Sequence, residues 1–381
     1  MKKEILSLLV MLCMATSVNA QSWKMVITKA DGSQQELYTA DIKDIKYVQE
    51  VKEDQNVDQV IIKELYSGGC KKEDGSNFQY DKCVVLYNNC PQKAVINNLC
   101  FGACSPANAQ ANNKNYGEDG KLTYESEGFI PVWNGLFYFP GALEIEPYSQ
   151  VVVNVHGAID NTQTIPNSVN YANADYYAMY DPESGYNHTG YYPTPSELIP
   201  TSHYLKAVRY GLGTGWSLSV SSPALIVFQV KDTTPAEYAT NTSNQWYDGG
   251  AVGEQVWCCV KVPNEWILDG IEVYAAAFQD GCTKRLTADI DAGYVWLTNY
   301  MGHSLYRNVD KEATESLAEN AGKLVYNYSL GVDNSTDPSG IDAEASMKKG
   351  AHIVYQDTNN STADFHERQK CSLKDRRTEG E

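Results

Sequence analysis

Residues 60–101 read VIIKELYSGGCKKEDGSNFQYDKCVVLYNNCPQKAVINNLCF. Three runs stand out: VIIKELY (60–66), KCVVLYNN (82–89) and AVINNLCF (94–101). Each is short, rich in Val, Ile, Leu and Tyr, and bounded by Gly, Asn, Asp or Pro, which is the signature of a β-strand. Between the first two lies the polar stretch SGGCKKEDGS, where Gly68, Gly69 and Gly75 allow the chain to turn. The same strand signal recurs in LFYFPG (136–141), QVVVNVHG (150–157), ALIVFQV (224–230), QVWCCVKV (255–262), GYVWLTN (293–299), KLVYNY (323–328) and AHIVYQD (351–357). Helix signals are few. In TTPAEYAT (233–240), Thr234 precedes Pro235 and Glu237 follows three residues on, which predicts a short helix with a capping box. A second helix is expected within 309–323. The fold class is therefore all-β, most simply a β-sandwich with long loops or a large insertion.

The ends of the chain predict a compartment. Residues 1–20 carry Lys2 and Lys3, an apolar run from Ile5 to Met14, and the small-residue site Val18-Asn19-Ala20, the layout of a secretory signal peptide cleaved after Ala20. No later run approaches the length of a transmembrane helix, so a periplasmic, outer-membrane-surface or secreted location is expected, with no transmembrane segment. Residues 22–50 form a unit of their own, a small β-hairpin about the Asp31-Gly32 turn. An acidic linker (51–59), the main domain (60–367) and a polar tail (368–381) follow. The net charge is −18, and one unit more negative once Lys2, Lys3 and Glu4 are removed. A field of that sign repels phosphate backbones, so nucleic acid is not an expected partner.

Nine cysteines follow the leader: Cys70, Cys83, Cys90, Cys100, Cys104, Cys258, Cys259, Cys282 and Cys371. Among the five at 70–104 only Cys100 and Cys104 are close, no histidine lies between them, and no C-x-x-C occurs, which argues against structural zinc and thioredoxin-like chemistry. In an exported chain they read as disulfides or buried thiols, and their odd number leaves at least one unpaired. The spacing leaves the pairing open.

No nucleophile elbow, H-E-x-x-H, Walker loop or dinucleotide fingerprint occurs. Two acidic groupings compete for attention. Asp333, Ser335, Asp337 and Glu344 partly follow a calcium-loop frame, which Pro338 then breaks; no cofactor is expected, and calcium at Asp333–Glu344 is the weak exception. Asp289 and Asp291 project from one side of an extended segment and form the carboxylate pair on which a hydrolase would rest.

The 27 tyrosines outnumber the 8 phenylalanines, and seven of them crowd the irregular stretch 167–195. Tyrosine joins a packing ring to a hydroxyl that stays wet, and aromatic residues carry much of the energy of binding surfaces. Tyr176, Tyr177, Tyr180, Tyr186, Tyr191 and Tyr192 are accordingly the candidate ligand-binding residues. The plainer expectation is that they pin a long loop onto the sandwich.

The strand VIIKELY carrying Glu64, then Asp81 leading into a strand with Leu86 and Asn88, resembles the opening of lamin-tail-type immunoglobulin-like domains, with Val85 where those carry Glu. GHSLYRNVD (302–310) is similar to the sequence that closes them, and the resemblance implies first and last strands bracketing a large insertion. More closely, the span from about Val60 to Glu367 resembles an uncharacterised Bacteroidota family, domain of unknown function 4876, through PNEWILDGIEVY (263–274), DPSGIDAEAS (337–346) and DTNNSTADF (357–365). That resemblance implies an exported envelope protein and brings no catalytic residues. The resulting expectation is a non-enzymatic recognition or accessory module, binding a glycan or an outer-membrane protein and working beside an outer-membrane uptake system. A secreted hydrolase with an acidic or calcium-assisted site, or a purely structural envelope protein, are the alternatives.

Overall fold

The structure, a computed structural model, describes residues 22–29, 32–44 and 52–375. The leader lies outside the described residues, as does Asp31 of the hairpin turn. The chain divides into two compact units at Val51/Lys52. In the first, β1 (Lys24–Thr28) and β2 (Gln34–Tyr38) pair antiparallel, and Lys24 Nζ lies 2.7 Å from Glu36 Oε2 across the exposed ribbon.

The second unit begins with β3 (Val60–Tyr66), a short ribbon of β4 (Cys70–Lys71) and β5 (Asn77–Phe78), then β6 (Lys82–Asn88), β7 (Ala94–Ile96) and β8 (Leu99–Cys104). There follow β9 (Phe129–Tyr138), β10 (Leu143–Ile145), β11 (Gln150–His156), β12 (Tyr177–Ala178), β13 (Lys206–Arg209) and β14 (Ala224–Gln229). The last are β15 (Gln245–Tyr247), β16 (Cys258–Pro263), β17 (Ile267–Ala275), β18 (Val295–Leu297), β19 (Ser304–Arg307) and β20 (Phe365–Arg368). Four short helices are interspersed: α1 (Pro235–Thr240), α2 (Lys311–Ser316), α3 (Ala343–Lys348) and α4 (Ser361–Asp364). The capping box of α1 is formed on both sides by Thr234 and Glu237.

Two sheets carry the fold. One has the order β12-β11-β6-β3-β19-β20; the other has the order β15-β16-β9-β8-β14-β17-β18, with β13 on β9. Their inner faces meet in one core that joins Ile62, Leu65, Val84 and Leu86 of the first to Phe101, Phe137, Leu225, Val227 and Ile271 of the second. The protein is thus an all-β sandwich. The chain's early strand β3 pairs directly with the late strand β19, through Leu65↔Leu305 and Tyr306↔Glu64, so β4 to β18 all lie in sequence between two strands that are neighbours in one sheet.

The outer faces are covered as well. Residues of 309–355 bury Ile61, Tyr87 and Tyr306 on one part of the first sheet, and Cys371 and Leu373 of the tail cover Tyr66, Cys83 and Val85 on another. This is why β3 and β6 are buried along their whole length. It also explains two departures from the expected strands. KLVYNY and AHIVYQD form no strand; each makes a single bridge (Tyr326↔Ile341, Val309↔Tyr355), and Ile353 and Tyr355 are apolar because they pack on the sheet's outer face, not because they join a ladder. AVINNLCF splits instead at Asn98, whose φ of 53° breaks the extended run, so that β7 pairs with β10 and β8 enters the second sheet.

β17 carries no clean apolar run because Asp269 and Glu272 interrupt it, yet both are buried and paired. Asp269 Oδ2 accepts from Ile62 N at 2.6 Å and from the Arg307 guanidinium. Glu272 faces Arg285, with both side chains fully inaccessible.

Candidate functional site

The tyrosine loop is built onto β11, β9 and β13. β12 lies parallel on β11 with Val153 opposite Tyr177, which returns the chain over the sandwich edge. Tyr186 is 1% exposed, stacks on Phe137 with centroids 5.8 Å apart, and donates its hydroxyl to Asn134 O at 2.9 Å. Only glycine fits beneath it: a Cβ on Gly135 would stand 2.0 Å from that hydroxyl. The Tyr192 hydroxyl accepts from Trp216 N at 2.9 Å, and Trp216 Nε1 donates to Gly135 O at 2.9 Å. Tyr171, Tyr176, Tyr186 and Tyr192 are therefore core residues that fasten the loop, and their rings offer little surface to a ligand. Tyr177, Tyr180 and Tyr191 are half-buried. Tyr177 stacks on His203 (4.2 Å, 12°), and Tyr180 meets Tyr204 edge-on (5.5 Å).

Tyr191 has a different setting. Its ring lies 5.4 Å from Tyr80 and 4.7 Å from the exposed His188, and Tyr80 in turn meets Phe78 at 5.9 Å. Two segments far apart in sequence, the end of β5 with the β5–β6 connection and the tyrosine loop, so build one surface of four rings. The platform is stiff from below. His156, buried, stacks flat under Tyr191 (4.4 Å, 16°), and its Nε2 lies 3.1 Å from Trp216 O. A carbonyl only accepts, so Nε2 carries the proton; burial pushes the His156 pKa well below its usual value and keeps the ring neutral. Gly190 and Gly215 let the backbone approach these rings: a Cβ on Gly215 would lie 2.4 Å from the Tyr191 ring, and one on Gly190 3.3 Å from Tyr80. Phe78, Tyr80 and His188 were not among the residues expected from sequence. The aromatic pair in SNFQYDK, placed in an otherwise polar connection, is the signal that points to them.

The acidic candidates are not brought together. Asp291 is 1% exposed and accepts from Glu272 N (3.0 Å), Gly293 N (2.9 Å) and Ser361 N (2.8 Å), a hub that ties β17 to α4. Asp289 is exposed and accepts from Asn264 Nδ2 at 2.7 Å. Of the proposed calcium frame, Asp333 is exposed, Asp337 accepts from Val309 N (3.0 Å) and Ser339 N (2.8 Å), and Glu344 pairs with Lys63 at 2.6 Å and takes a hydrogen bond from the Tyr306 hydroxyl at 2.9 Å. Among the described residues, no group of three or more His, Cys, Asp or Glu side chains is arranged to hold a metal ion.

The nine cysteines stand as thiols in the structure, eight buried and Cys282 half-buried. Three of them, Cys70, Cys83 and Cys371, lie with Asp81 around the buried Tyr66, and Lys82, also buried, follows Asp81 in the chain. Burial raises the Asp81 carboxyl from 3.8 to about 7, against the Ser168 and Tyr66 hydroxyls that hold its charged form. Burial lowers the Lys82 ammonium from 10.5 to about 7. Between pH 3.8 and about 7 the unfolded chain has released the Asp81 proton that the folded chain keeps, so this group's contribution to stability falls as pH rises. Between about 7 and 10.5 the unfolded chain holds the Lys82 proton that the folded chain has released, so that contribution rises with pH. Urea unfolding across this range should show Asp81→Asn removing the falling limb and Lys82→Met the rising one. Variant profiles parallel to wild type would contradict both assignments.

A family profile described as a protein of unknown function, DUF4876, matches residues 146–337, just over half of the chain. The chain belongs to the DUF4876 family. The matched span includes the whole tyrosine loop, Trp216 and β17. In structure the chain is similar to a crystal structure of a DUF4876 family protein from Bacteroides thetaiotaomicron VPI-5482, with a TM-score of 0.58 and 17% identity over 90% of this chain and 80% of that one. At that identity the likeness speaks for a shared DUF4876 fold. No curated protein matches the chain. Among the described residues, no helix is long and apolar enough to cross a membrane.

Proposed function

We propose that this DUF4876 protein is an exported recognition module of the cell envelope, and that the Phe78–Tyr80–His188–Tyr191 platform is its contact surface. The observation that carries the reading is the convergence of four rings from two distant segments onto one accessible surface, with a buried, neutral histidine stacked beneath. Such rings present flat apolar faces with polar edges, which suits the C–H faces and hydroxyls of a neutral glycan. The strongly negative chain favours a neutral ligand over a phosphorylated or anionic one. A role as an accessory to an outer-membrane uptake system is consistent with a leader-like start and with an apolar platform held by a rigid sandwich.

The test is titration calorimetry of the full chain against a panel of neutral polysaccharides. Saturable binding is expected, and Tyr80→Ala combined with His188→Ala should weaken it by about thirty-fold or more, the loss of one hot spot of about 2 kcal/mol. His188 is exposed and Tyr80 half-buried among neighbouring rings, so the unfolding midpoint should fall less than when a fully buried tyrosine such as Tyr186 is truncated. Binding that survives this double substitution would place the contact surface elsewhere. Release of shorter sugars during the titration would favour the hydrolase reading.

A further inference from the structure

We propose that Cys83 and Cys371 form a disulfide that locks the C-terminal segment across the outer face of the sandwich. After β20 the chain turns back over β19 and β3. Ser304 Oγ donates to Lys370 O at 3.4 Å, Ser372 N donates to Glu64 Oε1 at 2.9 Å, and the Ser372 hydroxyl donates to the same carboxylate. These bonds deliver residue 371 onto the face of β6 that carries Cys83 and Val85, where Cys371, Cys83, Tyr66 and Tyr171 form one buried cluster. Both thiols are fully inaccessible, and they lie near enough that the Cys83 thiol adds to burial in raising the Cys371 pKa. Cys83 itself is held in register opposite Tyr66 and Asn154, so the two side chains pack together between fixed elements. A disulfide needs two cysteines packed side by side on elements that need not move, and their shared buried cluster supplies that setting.

The chemistry is thiol–disulfide exchange with a small-molecule disulfide such as oxidised glutathione. The thiolate of one cysteine attacks one sulfur of the oxidant, forming a mixed disulfide and expelling one glutathione thiolate. The other cysteine's thiolate then attacks the protein sulfur of that mixed disulfide and expels the second. Two protein thiols are oxidised, one oxidant disulfide is reduced to two thiols, and the two protons released by the protein end on glutathione. Since the finished site is sealed, the exchange takes place while the tail is still closing. The bond would enclose the whole insertion between β6 and the tail, the kind of long loop whose closure restricts the unfolded chain most.

The test begins with reduced, denatured full-length protein folded in a mixture of oxidised and reduced glutathione. Remaining thiols are alkylated under denaturing conditions, and the digest is mapped by mass spectrometry without reduction. A cross-linked peptide pair containing Cys83 and Cys371 is expected, lost when reductant is added before digestion. Cys371→Ser should leave Cys83 alkylated, and Cys83→Ser should leave Cys371 alkylated. Because the mapping is done first on wild type, it decides the question even if a variant fails to fold. Recovery of both cysteines as alkylated thiols, or linkage of either to the neighbouring Cys70, would overturn the assignment.

Discussion

Replacing Arg285 by Met is expected to remove about 3–5 kcal/mol of stability, the cost of stripping the partner from a fully buried charge. Arg285 and Glu272 are both inaccessible; Nη2 and Nε of the guanidinium reach Glu272 Oε1 at 2.5 and 2.8 Å. Nη1 donates to the carbonyls of Ser222 (2.8 Å) and Pro106 (3.1 Å). The second carboxylate oxygen accepts from the backbone N–H groups of Arg285 and Leu286 at 2.8 and 2.9 Å. Arg285→Met thus leaves the Glu272 carboxyl in an apolar interior with two amide donors and no counter-charge. Adding Glu272→Gln removes that carboxyl while its amide oxygen still accepts from the same two N–H groups. The double variant should therefore be more stable than Arg285→Met alone, a coupling that only interacting side chains produce. Urea unfolding at constant m-value reads both effects. A loss below about 1 kcal/mol for the single variant would mean that the pair is hydrated or that the segment about 285 relaxes.

Truncating the anchoring tyrosines should have an effect of similar size. Tyr186→Ala and Tyr192→Ala each remove a buried ring from the core between the tyrosine loop and β9, at an expected cost of about 3–5 kcal/mol. Tyr186→Phe keeps the ring and loses only the bond to Asn134 O, so about 1 kcal/mol is expected. Tyr191→Ala should cost less than either alanine variant, because its ring is half-exposed and packs chiefly on other surface rings and on His156. Denaturant unfolding combined with amide exchange over 157–216 checks the order. Equal costs at 186 and 191 would show that the loop is not fastened as described.

The order expected at 186, 191 and 192 separates rings that fasten the loop from a ring that packs nearer its surface. The tyrosine crowding at 167–195 was legible as something of consequence, but a list of tyrosines does not say which rings face inward. That depends on the parallel pairing of β12 with β11 and on the gap left by Gly135 in β9, neither of which is local to the loop. Similarly, Asp289 and Asp291 share one side of an extended segment on paper. In the structure the chain bends between them, and Asp291 is drawn inward by the amides of Glu272, Gly293 and Ser361. β17 escaped notice because Asp269 and Glu272 interrupt its apolar pattern, and only their distant partners, Arg307 and Arg285, make those carboxylates tolerable inside a sheet.

What the sequence determined by itself was whatever depends on a few neighbouring residues. β-branched and aromatic runs of strand length placed β3, β6, β11 and β14, and Thr234-Pro235-x-Glu237 placed α1 with its cap. The resemblance of 60–367 to DUF4876 also lay in contiguous phrases. Tertiary structure alone decided the long-range pairings: β3 with β19, the tail with the outer face of β6, and Tyr80 with Tyr191. Local patterns report the backbone preference of a segment, whereas these contacts join residues far apart in the chain. They are selected by which apolar faces can be buried together, and a linear pattern does not carry that choice.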